Sequence, residues 1–175
     1  YTRWAFYLII MAISTFFLMR HLTKNTLVSL FTAVSVGFSL GLMVFLYIGH
    51  VTKLTSLAFY PVLFLILLKF QEKIKLLDIL ILIITLQLFV VGFHLQIIFY
   101  SLLAVAIYFI YFFISALINK NTFLRNQIFK SSIVFVFATI IAILISSDKL
   151  TQIYEYTPYS TRGTEGILET ASTNT

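Results

Sequence analysis

The sequence predicts an all-α polytopic membrane protein with about six transmembrane helices. Of the 175 residues, 61% are apolar and 10% are charged, whereas about 25% of a soluble domain is charged. The apolar residues form long continuous runs, and helices are the expected structure for such runs because a helix satisfies its own backbone hydrogen bonds in lipid. The runs do not alternate with polar residues, which argues against an outer-membrane barrel.

The six predicted spans come from the lengths of these runs. A membrane-spanning helix needs about 20 apolar residues, with about 17–25 tolerated. The candidates are residues 4–19, 26–48, 54–70, 74–93, 97–118 and 131–145. The first run is short and begins almost at Tyr1, so we expect it to start further upstream and the chain to be a piece of a longer protein.

Three local features refine this prediction. Gly37 and Gly41 have the G-x-x-x-G spacing that lets helices approach closely, which favours packing within the chain over dimerisation. Pro61 predicts a kink in the third span because proline has no backbone N–H. Residues 147–175 are polar and are predicted to form an extracytoplasmic tail or the start of an outer domain.

The basic residues predict the orientation of the spans. Connections 20–25, 69–75 and 119–130 hold eight of the twelve lysines and arginines. Loops rich in lysine and arginine stay on the cytoplasmic side of a membrane. The alternate segments, 49–53, 93–96 and the tail, should therefore lie together on the extracytoplasmic face of a bacterial cytoplasmic membrane.

The first two of these outer segments carry residues suited to binding an anion or a polar ligand. His50 and Lys53 lie one helical turn apart and could hold a phosphate or a carboxylate, although an interfacial lysine that reaches lipid head groups explains them equally. His94 and Gln96 form a very short break between two spans, where polar groups often mark sites. Tyr100 should share a helix face with Gln96. A histidine bonded to backbone carbonyls at a helix end is the structural alternative.

The tail begins with an unusual string, Tyr154-Glu155-Tyr156-Thr157-Pro158-Tyr159-Ser160-Thr161-Arg162-Gly163. Its tyrosines could stack on sugar rings or lipid head groups. Glu155 could act as a base, and Arg162 could clamp a phosphate through two hydrogen bonds. An aromatic belt with ordinary loop charges accounts for the same residues.

Other chemistry is weakly indicated. The chain has no cysteine, which excludes disulfides and thiolate sites, and it has no P-loop, dinucleotide fingerprint or G-x-S-x-G motif. No cofactor is evident, and a divalent metal lacks supporting ligands. The positive charge reports orientation and does not indicate nucleic-acid binding. Asp78 should pair with Lys75 at a helix start, and His21 should be solvated.

Together these strings resemble the bacterial YfhO-like membrane proteins, over about residues 35–163. The matching strings are Gly49-His50-x-x-Lys53-Leu54, Ala58-Phe59-x-Pro61, His94-x-Gln96-Ile97-x-x-Tyr100 and Tyr154-Glu155-Tyr156-Thr157-x-Tyr159-Ser160-Thr161-Arg162-Gly163. Members resemble GT-C glycosyltransferases, which take sugars from polyprenyl-phosphate donors at the outer face. The resemblance implies a fragment of a GT-C-like helical bundle.

It also implies roles for individual residues. His50, Lys53 and Arg162 would lie near the donor phosphate, and His94 and Gln96 would contact sugar or phosphate from the membrane side. Tyr100, Glu155 and Tyr156 would complete the substrate-binding set. GT-C enzymes usually carry a catalytic acidic residue in their first outer loop, which here would precede Tyr1, so the catalytic residue is unknown.

Two other functions compete with a lipid-linked sugar transferase. A transporter or flippase for an anionic lipid or solute would use Pro61 and the glycines as hinges, but it predicts functional polar residues at the membrane midplane. The span centres are apolar apart from small hydroxyls and Gln87. A non-catalytic membrane assembly protein is the third hypothesis.

Overall fold

The computed structural model describes residues 2–92 and 94–156, which form nine α-helices and no strand. The helices are α1 (Thr2–Thr23), α2 (Thr26–Gly37), α3 (Leu40–Ile48), α4 (Val51–Ala58), α5 (Tyr60–Glu72), α6 (Leu76–Gly92), α7 (Leu95–Ile118), α8 (Thr122–Ile145) and α9 (Ser147–Tyr156). The predicted all-α architecture is confirmed.

Five helical segments in this part of the chain are long and apolar enough to cross a membrane. They are Ala5–Thr23, Thr26–Ile48, Thr52–Glu72, Gln96–Ile118 and Thr122–Ile145. The remaining predicted span is α6, an apolar helix of 17 residues. At 1.5 Å per residue it is about 25 Å long, at the lower limit for a span. The chain is therefore a multi-pass membrane protein.

The second and third spans are each interrupted. Between α2 and α3, Phe38 and Ser39 leave the helix, and the Phe38 N–H donates to the Val34 carbonyl at 3.0 Å. Between α4 and α5, the break falls at Phe59, and Pro61 lies in the first turn of α5. Proline is tolerated there because first-turn amides have no intrahelical acceptor. The kink predicted at Pro61 is thus a break between two short helices.

A buried serine on α1 faces the second break. The Ser14 hydroxyl lies 3.1 Å from the Met11 carbonyl and 3.4 Å from the carbonyl of Ala58, the last residue of α4. Ser14 is 7% exposed. Because serine side chains can satisfy backbone groups freed at a helix break in lipid, this contact stabilises the interruption.

The two glycines of the G-x-x-x-G spacing have different surroundings. A methyl group placed on Gly37 would lie 3.1 Å from the Ala12 Cβ, so α2 packs closely on α1 at this point. No atom of the described chain lies within 4 Å of a methyl group placed on Gly41. Packing within the chain is confirmed at Gly37, and Gly41 takes no part in it.

The main core lies among α5, α6, α7 and α8. Its buried residues are Leu63, Ile66, Leu67, Phe70, Leu82, Leu86, Phe89, Val105, Tyr108, Phe135, Ala138 and Ala142. The Tyr108 hydroxyl donates to the Leu67 carbonyl at 2.7 Å and accepts from the Gln71 side chain at 2.5 Å. The polar groups of this core are therefore satisfied within the protein, as lipid requires.

Three connections meet at one end of the bundle, which we call the basic end. The His21 imidazole lies 3.7 Å from the Glu72 carboxylate, which joins the α1–α2 and α5–α6 connections. The Gln127 side chain near the start of α8 donates to the Glu72 carbonyl at 3.2 Å. The eight basic residues at this end are Arg20, Lys24, Lys69, Lys73, Lys75, Lys120, Arg125 and Lys130.

Helices α8 and α9 show the largest differences from the predicted bounds. Helix α8 begins at Thr122 rather than at residue 131, so Arg125 and Lys130 lie on its first turns. Asn121 caps this helix by accepting a hydrogen bond from the Leu124 N–H at 2.9 Å. Residues 147–156 of the predicted tail form α9, with Asp148 in its first turn. Hydropathy marks where a chain leaves lipid, and a helix can continue beyond that point.

Candidate functional site

The opposite end of the bundle, which we call the polar end, holds the α3–α4 turn at His50, the α6–α7 turn at His94 and the start of α9. A methyl group on Gly92 would lie 3.0 Å from the Ser56 hydroxyl and 3.6 Å from the Thr52 carbonyl. The end of α6 therefore rests directly on α4. Helix α8 runs away from the basic end, so α9 begins at the polar end.

The chain reverses at Gly49, which ends α3 with a φ of +80°. Glycine adopts this left-handed conformation at little cost because it has no β-carbon. The His50 N–H donates back to the Phe45 carbonyl at 3.0 Å, which closes the turn. His50 then occupies the position before α4, and its side chain makes no capping hydrogen bond.

His50 and Lys53 lie against the same aromatic ring. The His50 and Phe45 ring centroids are 6.3 Å apart with an interplanar angle of 65°. The Lys53 ammonium lies 5.5 Å from the Phe45 centroid, within the range of a cation–π interaction. The predicted shared face of His50 and Lys53 is thus present, and it is organised by Phe45. The sequence spacing did not reveal Phe45, because it is brought there by the turn at Gly49.

His94 carries an unsatisfied nitrogen. It precedes α7, and its carbonyl accepts from the Ile97 N–H at 2.9 Å and the Ile98 N–H at 3.0 Å. Its side chain makes no capping bond, and its Nδ1 is buried without a hydrogen-bond partner among the described residues. An unpaired buried nitrogen costs free energy, which makes His94 an unusual residue at this end of the bundle. The alternative of a histidine satisfied by backbone carbonyls does not hold for this nitrogen in the described residues.

Gln96 and Tyr100 share a face of α7, as predicted. The Gln96 Nε2 lies 3.5 Å from the Tyr100 hydroxyl, and both side chains are exposed. Tyr100 is 53% exposed. The pair is therefore available to a ligand or to lipid head groups at the polar end.

Glu155 and Tyr156 lie on α9 and are exposed. Tyr154 is 82% exposed and Tyr156 is 68% exposed, so neither ring packs into the described protein. Arg162 and the rest of the predicted string from Thr157 onward lie outside the described residues. The structure thus brings together His50 with Lys53 and Gln96 with Tyr100, and it leaves Tyr154, Glu155 and Tyr156 exposed on α9.

An apolar cavity of about 110 Å³ lies below the α6–α7 turn. Its lining includes Phe89, Val90, Ile98, Leu102, Ala142 and Ile143. The lining comes from α6, α7 and α8, with Leu63 from α5, and it shows that the end of α8 lies beside the start of α7. In the chain between residues 2 and 156, Phe93 apart, no group of three or more His, Asp and Glu residues could hold a metal ion.

Two predictions about side chains at the basic end are wrong. The Asp78 carboxylate pairs with Lys69 at 3.5 Å rather than with Lys75, because α5 and α6 run side by side there. The His21 side chain is 20% exposed and lies beside Glu72, so it is not simply solvated. Both contacts join separate helices, and spacing within one helix cannot reveal them.

No known protein family, curated protein or solved structure matches this chain.

Proposed function

We propose that this chain is part of a GT-C-like membrane glycosyltransferase that binds the phosphate of a polyprenyl-phosphate-linked sugar at the polar end. The sugar would pass to a cell-envelope glycan or polymer at the outer face of a bacterial cytoplasmic membrane. The observation that carries the proposal is the arrangement of His50 and Lys53 around Phe45. It lies at the end where a buried nitrogen of His94 has no partner among the described residues.

The charges at the polar end suit a phosphate. Lys53 is positively charged at neutral pH, and its position over Phe45 restricts the ammonium to one side of the α3–α4 turn. The imidazoles of His50 and His94 can each donate a hydrogen bond to a phosphate oxygen. These groups would stabilise the negative charge that develops on the phosphate as it leaves the sugar.

The surroundings of this turn suit a lipid carrier. Tyr47 is 88% exposed and Ile48 is 58% exposed, immediately before Gly49 and His50. Phe99, which is 62% exposed, lies beside Tyr100 on α7. Apolar side chains with this exposure face lipid in a membrane-spanning helix. A prenyl chain in the bilayer can therefore lie along them while its phosphate reaches the basic side chains.

The proposed step is a substitution at the anomeric carbon of the sugar. The bond from that carbon to the phosphate oxygen breaks, and the electron pair leaves with the phosphate. An acceptor hydroxyl oxygen forms the new bond to the carbon and gives its proton to a base.

The separation of charge between the two ends supports the proposed orientation. The basic end carries eight lysines and arginines, and such connections stay in the cytoplasm. The polar end would then face outward, where lipid-linked sugar donors present their phosphates. The transporter alternative draws less support, because the core polar groups Tyr108 and Gln71 are bonded to each other and to the Leu67 carbonyl.

The test is sugar transfer by the full-length protein in membrane vesicles, with a radiolabelled polyprenyl-phosphate sugar as donor. We expect Lys53→Ala to lower kcat/KM by about tenfold or more, because it removes a charge from the phosphate site. Lys149→Ala is the matched control: this exposed lysine on α9 lies at the same end, and its loss should change transfer less than twofold.

Two results would contradict the proposal. If Lys53→Ala and Lys149→Ala transfer sugar equally well, Lys53 does not serve a phosphate site. If wild-type vesicles transfer no sugar but move the intact lipid across the bilayer, and Lys53→Ala stops that movement, the chain belongs to a transporter.

A further inference from the structure

A cavity with a partly polar lining lies at the basic end, at the opposite end of the bundle from the proposed transferase site. Its volume is about 500 Å³, and it is lined by Phe17, Arg20, His21, Lys24, Leu65 and Lys69. The cavity thus lies between α1 and α5, where α1 reaches its last turns. Three of the six lining side chains are lysine or arginine, one is His21, and two are apolar.

The basic side chains are only partly neutralised. Lys69 pairs with Asp78 at 3.5 Å, and His21 lies 3.7 Å from Glu72. Arg20 donates a hydrogen bond to the Lys24 carbonyl, which holds the guanidinium at the rim. Among the described residues, no carboxylate lies within salt-bridge distance of Arg20 or Lys24. The cavity rim therefore carries excess positive charge.

Lys24 has a backbone conformation that glycine favours, which makes a clean substitution possible at this position. Lys24 has a φ of +56°, and Lys120 has a φ of +51°; they are the non-glycine residues with positive φ in the described part of the chain. This left-handed conformation follows a helix end and is usually taken by glycine, because a β-carbon makes it strained. A lysine therefore occupies a position where glycine would fit with less strain. Lys120 ends α7 at the same end of the bundle but does not line the cavity.

The apolar part of the lining faces the bilayer. Phe17 is 54% exposed, and Leu65 lies beside it at the cavity wall. A small soluble anion has no apolar part that could contact this surface. A molecule with a phosphate at the rim and a hydrocarbon chain along Phe17 would contact both kinds of lining. Basic pockets between helices at the membrane surface bind phospholipid head groups in this way.

We propose that this cavity is a binding site for the phosphate head group of an anionic phospholipid. Arg20 and Lys24 bind the phosphate oxygens, with Lys69 contributing its remaining charge, and one acyl chain lies along Phe17 and Leu65. The site is separate from the polar end, so the proposal does not depend on the transferase function.

The experiment measures phospholipid retention by the purified full chain in native mass spectrometry. The probes are dioleoyl phosphatidylglycerol and, as the zwitterionic comparison, dioleoyl phosphatidylcholine. Lys24→Gly removes the charge from the rim while relieving the strained backbone, so it should fold at least as well as the wild type. Lys120→Gly is the matched control, with the same charge change, the same backbone conformation and the same end of the bundle. Arg20→Gln is a second variant at the rim.

We expect the wild type and Lys120→Gly to retain phosphatidylglycerol in preference to phosphatidylcholine. Lys24→Gly and Arg20→Gln should each bind phosphatidylglycerol about fivefold more weakly, which is the effect of one basic residue at a membrane surface. Equal losses in Lys24→Gly and Lys120→Gly would overturn the proposal, because the cavity would then have no special role. Displacement of the lipid by an equal concentration of inorganic phosphate would also overturn it, in favour of a soluble phosphate ligand.

Discussion

Gly92 lies so close to Ser56 that a methyl group on the glycine would come within 3.0 Å of the serine hydroxyl. This contact places α6 directly on α4, and the His94 turn follows Gly92 by two residues. The absence of a side chain at Gly92 is therefore what allows the turns of His94 and His50 to lie at one end of neighbouring helices.

Replacing Gly92 with alanine should crowd the contact between these two helices. The new methyl group would lie 3.0 Å from the Ser56 hydroxyl, so Ser56 must give way by a few tenths of an ångström, whereas the Thr52 carbonyl at 3.6 Å is at ordinary contact distance. We expect a loss of about 1–3 kcal/mol in the free energy of unfolding, the usual cost of overpacking. Chemical unfolding of the purified protein in detergent measures this loss.

Gly41→Ala is the control for that measurement. Gly41 lies in α3 with no atom of the described chain within 4 Å of the added methyl group, so no clash follows. Alanine is the better helix former, and the variant should be as stable as the wild type or more stable by about 0.5–1 kcal/mol. Equal destabilisation by both substitutions would refute the close approach at Gly92.

The hydroxyl of Tyr108 should contribute measurably to the stability of the core. Tyr108→Phe removes the hydrogen bond to the Leu67 carbonyl and leaves the Gln71 side chain without its acceptor. We expect the free energy of unfolding to fall by about 1–2 kcal/mol. The comparison is Tyr111→Phe on the same helix, where the side chain is 63% exposed and the loss should stay below about 0.5 kcal/mol. If the two variants have the same stability, the hydrogen bonds of Tyr108 make no net contribution to the free energy of unfolding.

The proposed orientation can be tested by chemical labelling, because the chain has no native cysteine. Single cysteines at positions 50, 94 and 156 should react with a membrane-impermeant thiol reagent in whole cells. Cysteines at positions 73 and 125, at the basic end, should react only after the membrane is permeabilised. If positions 73 and 125 are labelled in intact cells while positions 50, 94 and 156 are protected, the orientation is the opposite of the one proposed. That result would also move the proposed phosphate site to the cytoplasm.

The sequence predicts much of this fold because few backbone structures can satisfy their hydrogen bonds in lipid. Long apolar runs must be helical, and the basic connections, from which a cytoplasmic side is predicted, also meet at one end of the bundle. Reading hydropathy alone misplaces the start of α8 by nine residues, since the capping residue Asn121 starts that helix outside the apolar run. It also misses the break at Ser39, where no proline interrupts an apolar segment.

The candidate site was predictable only in part. The spacing of His50 and Lys53 within one helical turn indicates a shared face, and the same holds for Gln96 and Tyr100. The ring of Phe45 beneath the first pair depends on a chain reversal. The lack of a partner for the His94 nitrogen within residues 2–92 and 94–156 depends on what surrounds it. Such features arise from contacts between segments, and a pattern along the chain does not contain them.

The two helix breaks have a mechanical consequence for His50 and Lys53. Helices α3 and α4 form a hairpin bounded by the break at Phe38 and Ser39 on one side and by Phe59 on the other. An interrupted helix bends at its interruption without losing the hydrogen bonds of either half. A nine-residue arm such as α3 is about 13 Å long, so a tilt of about 10° would displace its tip by about 2 Å. Such a tilt of α3 would move Phe45, the ring against which His50 and Lys53 lie, while α4 stays packed against α6 at Gly92.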